Sequence, residues 1–163
     1  MHPLPFISPE ELFDSLLPSM GFCPGALDFR RDSRSLFDGS GARPFVSLGH
    51  MDWFQGVGRA TSVLLHELGH AQQHREGLMD WRDGPERIFW WRGRRANEVA
   101  EAVGYGVSLF RGVEDYVALP WELDAWRRAM RSVRWEPSLL GADEYARTAA
   151  ALLEMREASD VAA

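Results

Sequence analysis

Hydrophobic positions in this chain recur mostly at helical spacing. Ser8, Pro9 and Glu11 predict a helix start, because they suit the N-cap, the first helical position and the acid of a capping box. An apolar stripe follows between Leu12 and Leu17. Further helical patterns cover residues 59–75 and 96–109, begin at Pro120, and run from 143 to 157. In the last of these helices, Tyr145, Ala149, Leu152 and Met155 lie on one side.

Strand-like patterns are scarcer. Residues 43–49 predict a short strand, and Pro44 indicates that it lies at the edge of a sheet. Residues 21–43 are rich in Gly, Asp, Ser and Arg and predict a loop or irregular ribbon, and residues 111–119 predict a loop or short extended piece. We therefore expect an α+β, mostly helical fold with a short strand or small sheet before the helix at 59–75.

The composition is that of a globular protein. The 163 residues are 45% hydrophobic and 26% charged, which predicts a single domain spanning residues 1–163. The net charge of −6 argues against nucleic acid as a main partner, although the basic and aromatic segment Arg87–Arg95 offers that alternative. Seven tryptophans leave room for a buried interface between copies of the chain.

The single cysteine and the absence of long apolar runs bear on the compartment in which we expect the protein. Cys23 is the only cysteine, which excludes an internal disulfide and a multi-cysteine zinc site. The first residues lack the charged and apolar regions of a signal peptide, and no run of about 18 apolar residues occurs. We expect a cytoplasmic protein without a membrane partner.

The most informative motif is His66-Glu67-Leu68-Gly69-His70. Two histidines four residues apart lie on one helix face, so both imidazoles can bind one metal ion, and Glu67 can contact a water on that metal. The neighbouring residues are apolar and predict a buried helix, in which unpartnered histidines and a carboxylate would be costly. Gly69, which disfavours a helix interior, predicts close approach of another backbone or a ligand. The alternatives are two structural histidines or a site that has lost its metal.

A catalytic zinc ion usually has three protein ligands and one open position. Gln73 and Glu76 exclude the pattern H-E-x-x-H-x-x-G-x-x-H. His74 lies another turn along the helix, and three consecutive turns of a straight helix rarely converge on one ion. The spacing therefore favours a carboxylate from a later helix as the third ligand.

Three acids are candidates for that ligand: Glu98, Glu101 and Glu122. Glu122 is favoured because it lies in the first turn of an apolar, tryptophan-flanked helix, with Asp124 close enough to orient a ligand histidine. Acids at this position can instead stabilise the helix N-terminus.

The motif at His66–His70 with Glu-Leu-Asp-Ala at 122–125 resembles small bacterial and phage gluzincin-type metallopeptidases, including the ImmA/IrrE-type group. The likeness covers residues 43–130. This chain has a longer gap between the motifs and lacks a recognisable helix-turn-helix domain. The resemblance implies a minimal zincin-like domain that binds Zn²⁺ and hydrolyses peptides or proteins, with an extended substrate paired to the strand at 43–49.

On this hypothesis, His66, His70 and Glu122 bind zinc, and Glu67 moves a proton from water to the leaving amine. The oxyanion needs a further donor, for which Tyr105, Tyr116 and His50 are candidates. The rival hypothesis is a non-catalytic, metal-stabilised interaction or regulatory module. Its partner surface would comprise Trp90, Trp91, Trp121 or Trp126.

Overall fold

A computed structural model describes residues 6–81, 89–102, 112–133 and 143–163. The helices are α1 (Pro9–Leu16), α2 (His50–Phe54), α3 (Val57–Arg75), α4 (Ala96–Ala102), α5 (Val113–Val117), α6 (Pro120–Ser132) and α7 (Glu144–Ala162), with a 3-10 turn at Pro18–Met20. The strands are β1 (Asp28–Asp32), β2 (Leu36–Asp38), β3 (Phe45–Gly49), β4 (Met79–Trp81), β5 (Phe89–Trp91) and β6 (Arg94–Arg95). The fold is α+β and mostly helical, as predicted. None of the helices within the described ranges is long and apolar enough to cross a membrane.

Helix α1 begins with the capping box that the sequence predicts. The Ser8 hydroxyl accepts a hydrogen bond from the Glu11 backbone N–H (3.1 Å), and the Glu11 carboxylate accepts one from the Ser8 N–H (2.7 Å). Leu12 and Phe13 are buried in the core. These local hydrogen bonds satisfy backbone donors that a helix start leaves unpaired.

The first sheet has the strand order β1-β3-β2, with β1 parallel and β2 antiparallel to β3. The predicted strand at 43–49 is confirmed as β3, but its placement at a sheet edge is wrong because β3 is the central strand. Pro44 precedes the strand, where its missing N–H costs no ladder bond and its carbonyl accepts from Asp28 (3.1 Å). The prediction of a loop or irregular ribbon over 21–43 missed two regular strands, because β1 and the edge strand β2 lie within that segment.

The second sheet is an antiparallel ribbon of β4, β5 and β6. Arg92 and Gly93 join β5 to β6 with positive φ angles of 49° and 77°, as a two-residue hairpin turn requires. Trp91 is buried, whereas Arg94 and Arg95 are exposed. The described part of the basic and aromatic segment is thus a hairpin with its arginines in solvent.

For the C-terminal helices, the sequence predicts the first residues better than it predicts which side chains are buried. Helix α6 begins at Pro120 as predicted, and Asp143 caps α7 by accepting from the Ala146 N–H (2.8 Å). Helix α5 was predicted as loop or extended chain, which is wrong. The predicted helix at 96–109 is present as α4 to Ala102, and its remainder lies outside the described residues. The buried residues of α7 are Ala146, Ala149 and Leu153. Of the predicted stripe, Ala149 is buried and Leu152 packs partly buried against the core, whereas Tyr145 and Met155 are exposed.

Close packing of α3 against α6 positions the functional residues. A Cβ atom added to Gly69 would lie 2.6 Å from the Ala125 carbonyl oxygen and 3.0 Å from its Cα atom. These are backbone atoms, which cannot rotate away as a flexible side chain can. The predicted close approach at Gly69 is therefore confirmed, and the approaching segment is α6, which carries Glu122.

Gly69→Ala is expected to lower the free energy of unfolding by about 1–3 kcal/mol, because the new methyl group must push α6 away from α3. Urea denaturation measures this loss. Gly41→Ala is the matched control, because an added Cβ there meets only ordinary contacts beginning at 3.8 Å. Unchanged stability in Gly69→Ala would contradict the packing described here.

Candidate metal centre

Helices α3 and α6 bring together two histidines and one glutamate. His66 Nε2 lies 3.2 Å from His70 Nε2, and the Glu122 Oε2 atom lies 3.0 Å and 3.5 Å from these two nitrogens. Only 8% of His66, 8% of His70 and 4% of Glu122 is exposed. One turn of α3 supplies the histidines, and the first turn of α6 supplies the carboxylate, as the sequence predicts.

These three atoms have the spacing of ligands around a single ion. Tetrahedral bonds of roughly 2.0–2.1 Å place two ligand atoms about 3.3 Å apart, which is close to the three observed distances. In the part of the chain that the structure describes, no group other than these two imidazoles is placed to donate a hydrogen bond to the buried Glu122 Oε2, although a buried carboxylate oxygen normally has a partner. Both observations fit a cation at the centre of the three atoms, and among the described residues this is the group with that geometry.

The other candidate ligands lie elsewhere. Glu98 and Glu101 are exposed on α4 and do not join the cluster. His74 is half-buried and does not join the cluster; its Nδ1 is 3.2 Å from the Met79 carbonyl oxygen, and its ring packs against Trp81. Of the three acids left open by the sequence, the structure places Glu122 beside the histidines.

A hydrogen-bond chain leads from His70 to the surface through Gln73, a residue to which the sequence assigned no function. Gln73 is fully buried; its Oε1 lies 2.9 Å from His70 Nδ1, and its Nε2 donates to Asp124 Oδ2 (2.9 Å). Arg128 donates to the same Asp124 oxygen (2.7 Å) and also pairs with Glu76. Asp124 was expected to orient a histidine, and its contact with His70 passes through Gln73. A buried glutamine three residues after the second histidine was the available signal.

Aromatic residues support the other two members of the cluster. Trp126 stacks on the His66 imidazole, with ring centroids 4.2 Å apart and planes 25° apart. Tyr116 donates a hydrogen bond from its hydroxyl to Glu122 Oε1 (3.1 Å). Trp91, Trp121 and Trp126 are buried, which removes most of the tryptophan partner surface on which the interaction-module hypothesis depended.

The metal-free cluster holds a proton strongly. Burial alone would lower the pKa of His70, but the negative charge and hydrogen bond of Glu122 outweigh it and raise that pKa to about 9. Burial alone would raise the pKa of Glu122, but the two histidines hold it well below its usual range. A proton or a metal ion can therefore neutralise the Glu122 charge, and the two compete for His70.

We expect the free energy of unfolding of the metal-free protein to fall as the pH rises from 6.5 to about 9. The folded state keeps a proton on His70 that the unfolded state loses near pH 6.5, so this stabilisation is complete below 6.5 and is lost through 9. Denaturation at a series of pH values measures the slope. Zinc-saturated protein is the control, because a metal at Nε2 replaces the proton; equal slopes with and without zinc would contradict the expectation.

Glu67 faces the same space from the adjacent position on α3. Its side chain is buried, and burial raises the pKa of its carboxyl, although the positive charges of His66 and His70 oppose the rise. A carboxylate with a raised pKa is better suited to accept a proton near neutral pH than an exposed glutamate. The structure therefore places a candidate general base beside the candidate metal ligands.

The cluster is accessible from two cavities. One, of about 450 Å³, is mostly polar and reaches Glu67, His66 and Glu122 from the side of α7. The other, of about 190 Å³, reaches the same residues and His70 from the side of strands β4 and β5. Its remaining wall is largely apolar and aromatic: Leu36, Phe37, Met79, Trp81, Phe89 and Trp121. Two cavities that meet at a cluster of metal-ligating atoms leave room for a substrate.

Ion pairs centred on Arg59 fix one wall of the larger cavity. Arg59 pairs with Asp52 (2.8 Å) and with Asp143, the N-cap of α7. Asp52 also accepts a hydrogen bond from Ser35, which precedes β2. These contacts connect α2, α3, α7 and the start of the edge strand, and they hold that strand next to the cluster.

The three candidate oxyanion donors have different outcomes. The Tyr116 ring lines both cavities and its hydroxyl contacts Glu122. His50 is exposed at the start of α2 and lines neither cavity. Tyr105 lies outside the described residues. Tyr116 is therefore the donor that the structure places near the cluster.

The chain matches no protein-family model, and comparisons with curated proteins and with solved structures give no significant match.

Proposed function

We propose that this protein is a zinc-dependent peptidase whose metal is bound by His66, His70 and Glu122. One observation carries the proposal. The three side chains that could bind a metal ion line cavities that are also lined by the buried carboxylate of Glu67. Catalytic zinc sites keep a position for water or substrate, whereas structural sites are closed by four protein ligands.

The roles of the residues follow from their positions. Zinc supplies Lewis acidity towards a carbonyl oxygen and a water molecule. Glu67 accepts the proton of the attacking water and returns it to the leaving amine nitrogen as the C–N bond breaks. The Tyr116 hydroxyl, which donates its one hydrogen to Glu122 in the absence of substrate, turns to donate it to the oxygen of the former carbonyl group.

The edge strand β2 supports a peptide as substrate. Its outer edge has no partner strand among the described residues, and Leu36 and Phe37 line the smaller cavity beside Glu67. An extended chain can add to such an edge through main-chain hydrogen bonds. The aromatic wall of the same cavity would accept an apolar side chain of that peptide.

Other readings of the same donor set make different predictions. Two histidines and one carboxylate also suit Fe²⁺ in oxygenases, but a proton acceptor such as Glu67 beside the metal favours hydrolysis. A metal-stabilised, non-catalytic module would unfold when the metal is removed, whereas a catalytic site can lose its activity while the protein stays folded.

The direct test incubates the purified zinc-loaded protein with a library of mixed-sequence peptides and identifies the products by mass spectrometry. Cleavage at defined bonds is expected, together with its loss after chelation and its recovery on adding zinc. Circular dichroism of the chelated protein should show that it remains folded. Absence of cleavage across the library by protein that has bound zinc would overturn the proposal.

A further inference from the structure

The orientation of the Gln73 side-chain amide is fixed by its surroundings. Its Nε2 atom faces two oxygen acceptors, the Trp121 carbonyl at 2.7 Å and Asp124 Oδ2 at 2.9 Å. Reversing the amide would place Oε1 against both oxygens, with no hydrogen between them. Because an amide nitrogen only donates and an amide oxygen only accepts, Nε2 must face Trp121 and Asp124.

This orientation determines which nitrogen of His70 carries hydrogen. Gln73 Oε1 faces His70 Nδ1 at 2.9 Å, and an oxygen can only accept, so Nδ1 is the donor. In a neutral imidazole the other nitrogen then has a free lone pair. That nitrogen, Nε2, is the one that points towards His66 and Glu122.

We propose that Gln73 is a positioning residue that holds His70 in the Nδ1–H form, with Nε2 directed at the metal. The inference deepens the proposed function and rests on it in assigning a metal to His70. A ligand histidine usually donates its second N–H to a carboxylate or a carbonyl, which fixes its ring. Here the neutral amide of Gln73 takes that place. Asp124 contacts the amide and accepts a hydrogen bond from Arg128, which also forms a bidentate pair with Glu76.

Two surrounding contacts support a role specific to His70. No described residue offers His66 an equivalent acceptor, because none of them bonds to its buried Nδ1 atom, and the His66 ring stacks on Trp126. Gln72, the neighbouring residue, donates to the Met20 carbonyl (2.7 Å) and accepts a long hydrogen bond from Arg128 (3.4 Å), but it hydrogen-bonds to neither His70 nor Asp124. The two glutamines therefore offer a matched pair for a test.

The test measures zinc affinity at a fixed pH, by competition with a chromophoric chelator, in Gln73→Met and Gln72→Met. Both variants replace an amide with an apolar chain of similar length. Gln73→Met is expected to bind zinc about 10–100-fold more weakly, and Gln72→Met to stay within about threefold of the wild type. Equal affinity of Gln73→Met and the wild type would overturn the inference.

Nitrogen-15 NMR of the zinc-loaded wild type gives a second readout that does not require the variant to fold. A His70 Nδ1–H proton protected from exchange with water is expected, and in Gln73→Met at saturating zinc this protection should be lost. A His70 ring that carries its hydrogen on Nε2 would overturn the inference. Neither measurement depends on peptide hydrolysis, so failure of the proposed peptidase activity can be distinguished from failure of the inference about Gln73. Wild-type protein that binds no zinc would overturn both proposals.

Discussion

The Glu67→Gln variant is expected to keep its zinc and to lose at least about 100-fold in kcat for peptide hydrolysis. The glutamine amide has nearly the shape of the carboxyl group but cannot accept the proton of the attacking water. Glu67 does not supply one of the three clustered ligand atoms, so the zinc affinity should change little. Steady-state kinetics and a zinc titration on the same preparation measure both quantities.

Glu101→Gln is the matched control for this variant, because Glu101 is an exposed acid on α4, away from the cluster. It should hydrolyse peptides at the wild-type rate. Hydrolysis retained by Glu67→Gln, in a preparation free of contaminating protease, would show that Glu67 is not the general base.

Glu122→Gln is expected to weaken zinc binding by more than about 100-fold. Mutating residues that only hydrogen-bond to metal ligands weakens binding by up to roughly 100-fold, and losing a ligand should cost more. The substitution removes the negative charge of the cluster, which lies 3.0 Å from His66 Nε2, while keeping the shape of the side chain. It also removes the cause of the raised His70 pKa, so the pH dependence of metal-free stability between 6.5 and 9 should flatten.

Glu98→Gln and Glu101→Gln test the two acids that the sequence left open beside Glu122. Both are exposed and outside the cluster, and both variants should bind zinc as the wild type does. Isothermal titration with zinc ranks the three variants. Normal zinc affinity in Glu122→Gln, or its loss in either control, would reject the ligand assignment.

The sequence predicts those parts of the fold that depend on local interactions. The capping box at Ser8, the strand at 43–49 and the helix start at Pro120 are confirmed because neighbouring residues determine each of them. Strands β1 and β2 were missed because they form by pairing with β3 across the sheet, in a segment whose Gly, Asp and Ser residues favour turns. The buried face of α7 was misplaced because small alanines, not Tyr145 or Met155, pack against the core.

The candidate site shows the same division. Helical spacing alone places His66 and His70 on one face, and Gly69 predicts the close approach of another backbone or a ligand. Which glutamate arrives on that helix depends on the packing of α3 against α6, and the sequence left three choices. Gln73 contacts His70 from three residues along the same helix, so helical spacing offered a signal for it, whereas Tyr116 reaches Glu122 from α5 through the packing of α5 against α6.

Crystallography of the zinc-loaded protein with data collected on both sides of the zinc absorption edge tests the central claim most directly. We predict one anomalous peak, which marks a zinc ion bound by His66 Nε2, His70 Nε2 and a Glu122 oxygen. A remaining coordination position of this ion should be open to the cavity that contains Glu67. An ion bound elsewhere, or one closed by a fourth protein ligand, would contradict the proposed catalytic metal centre.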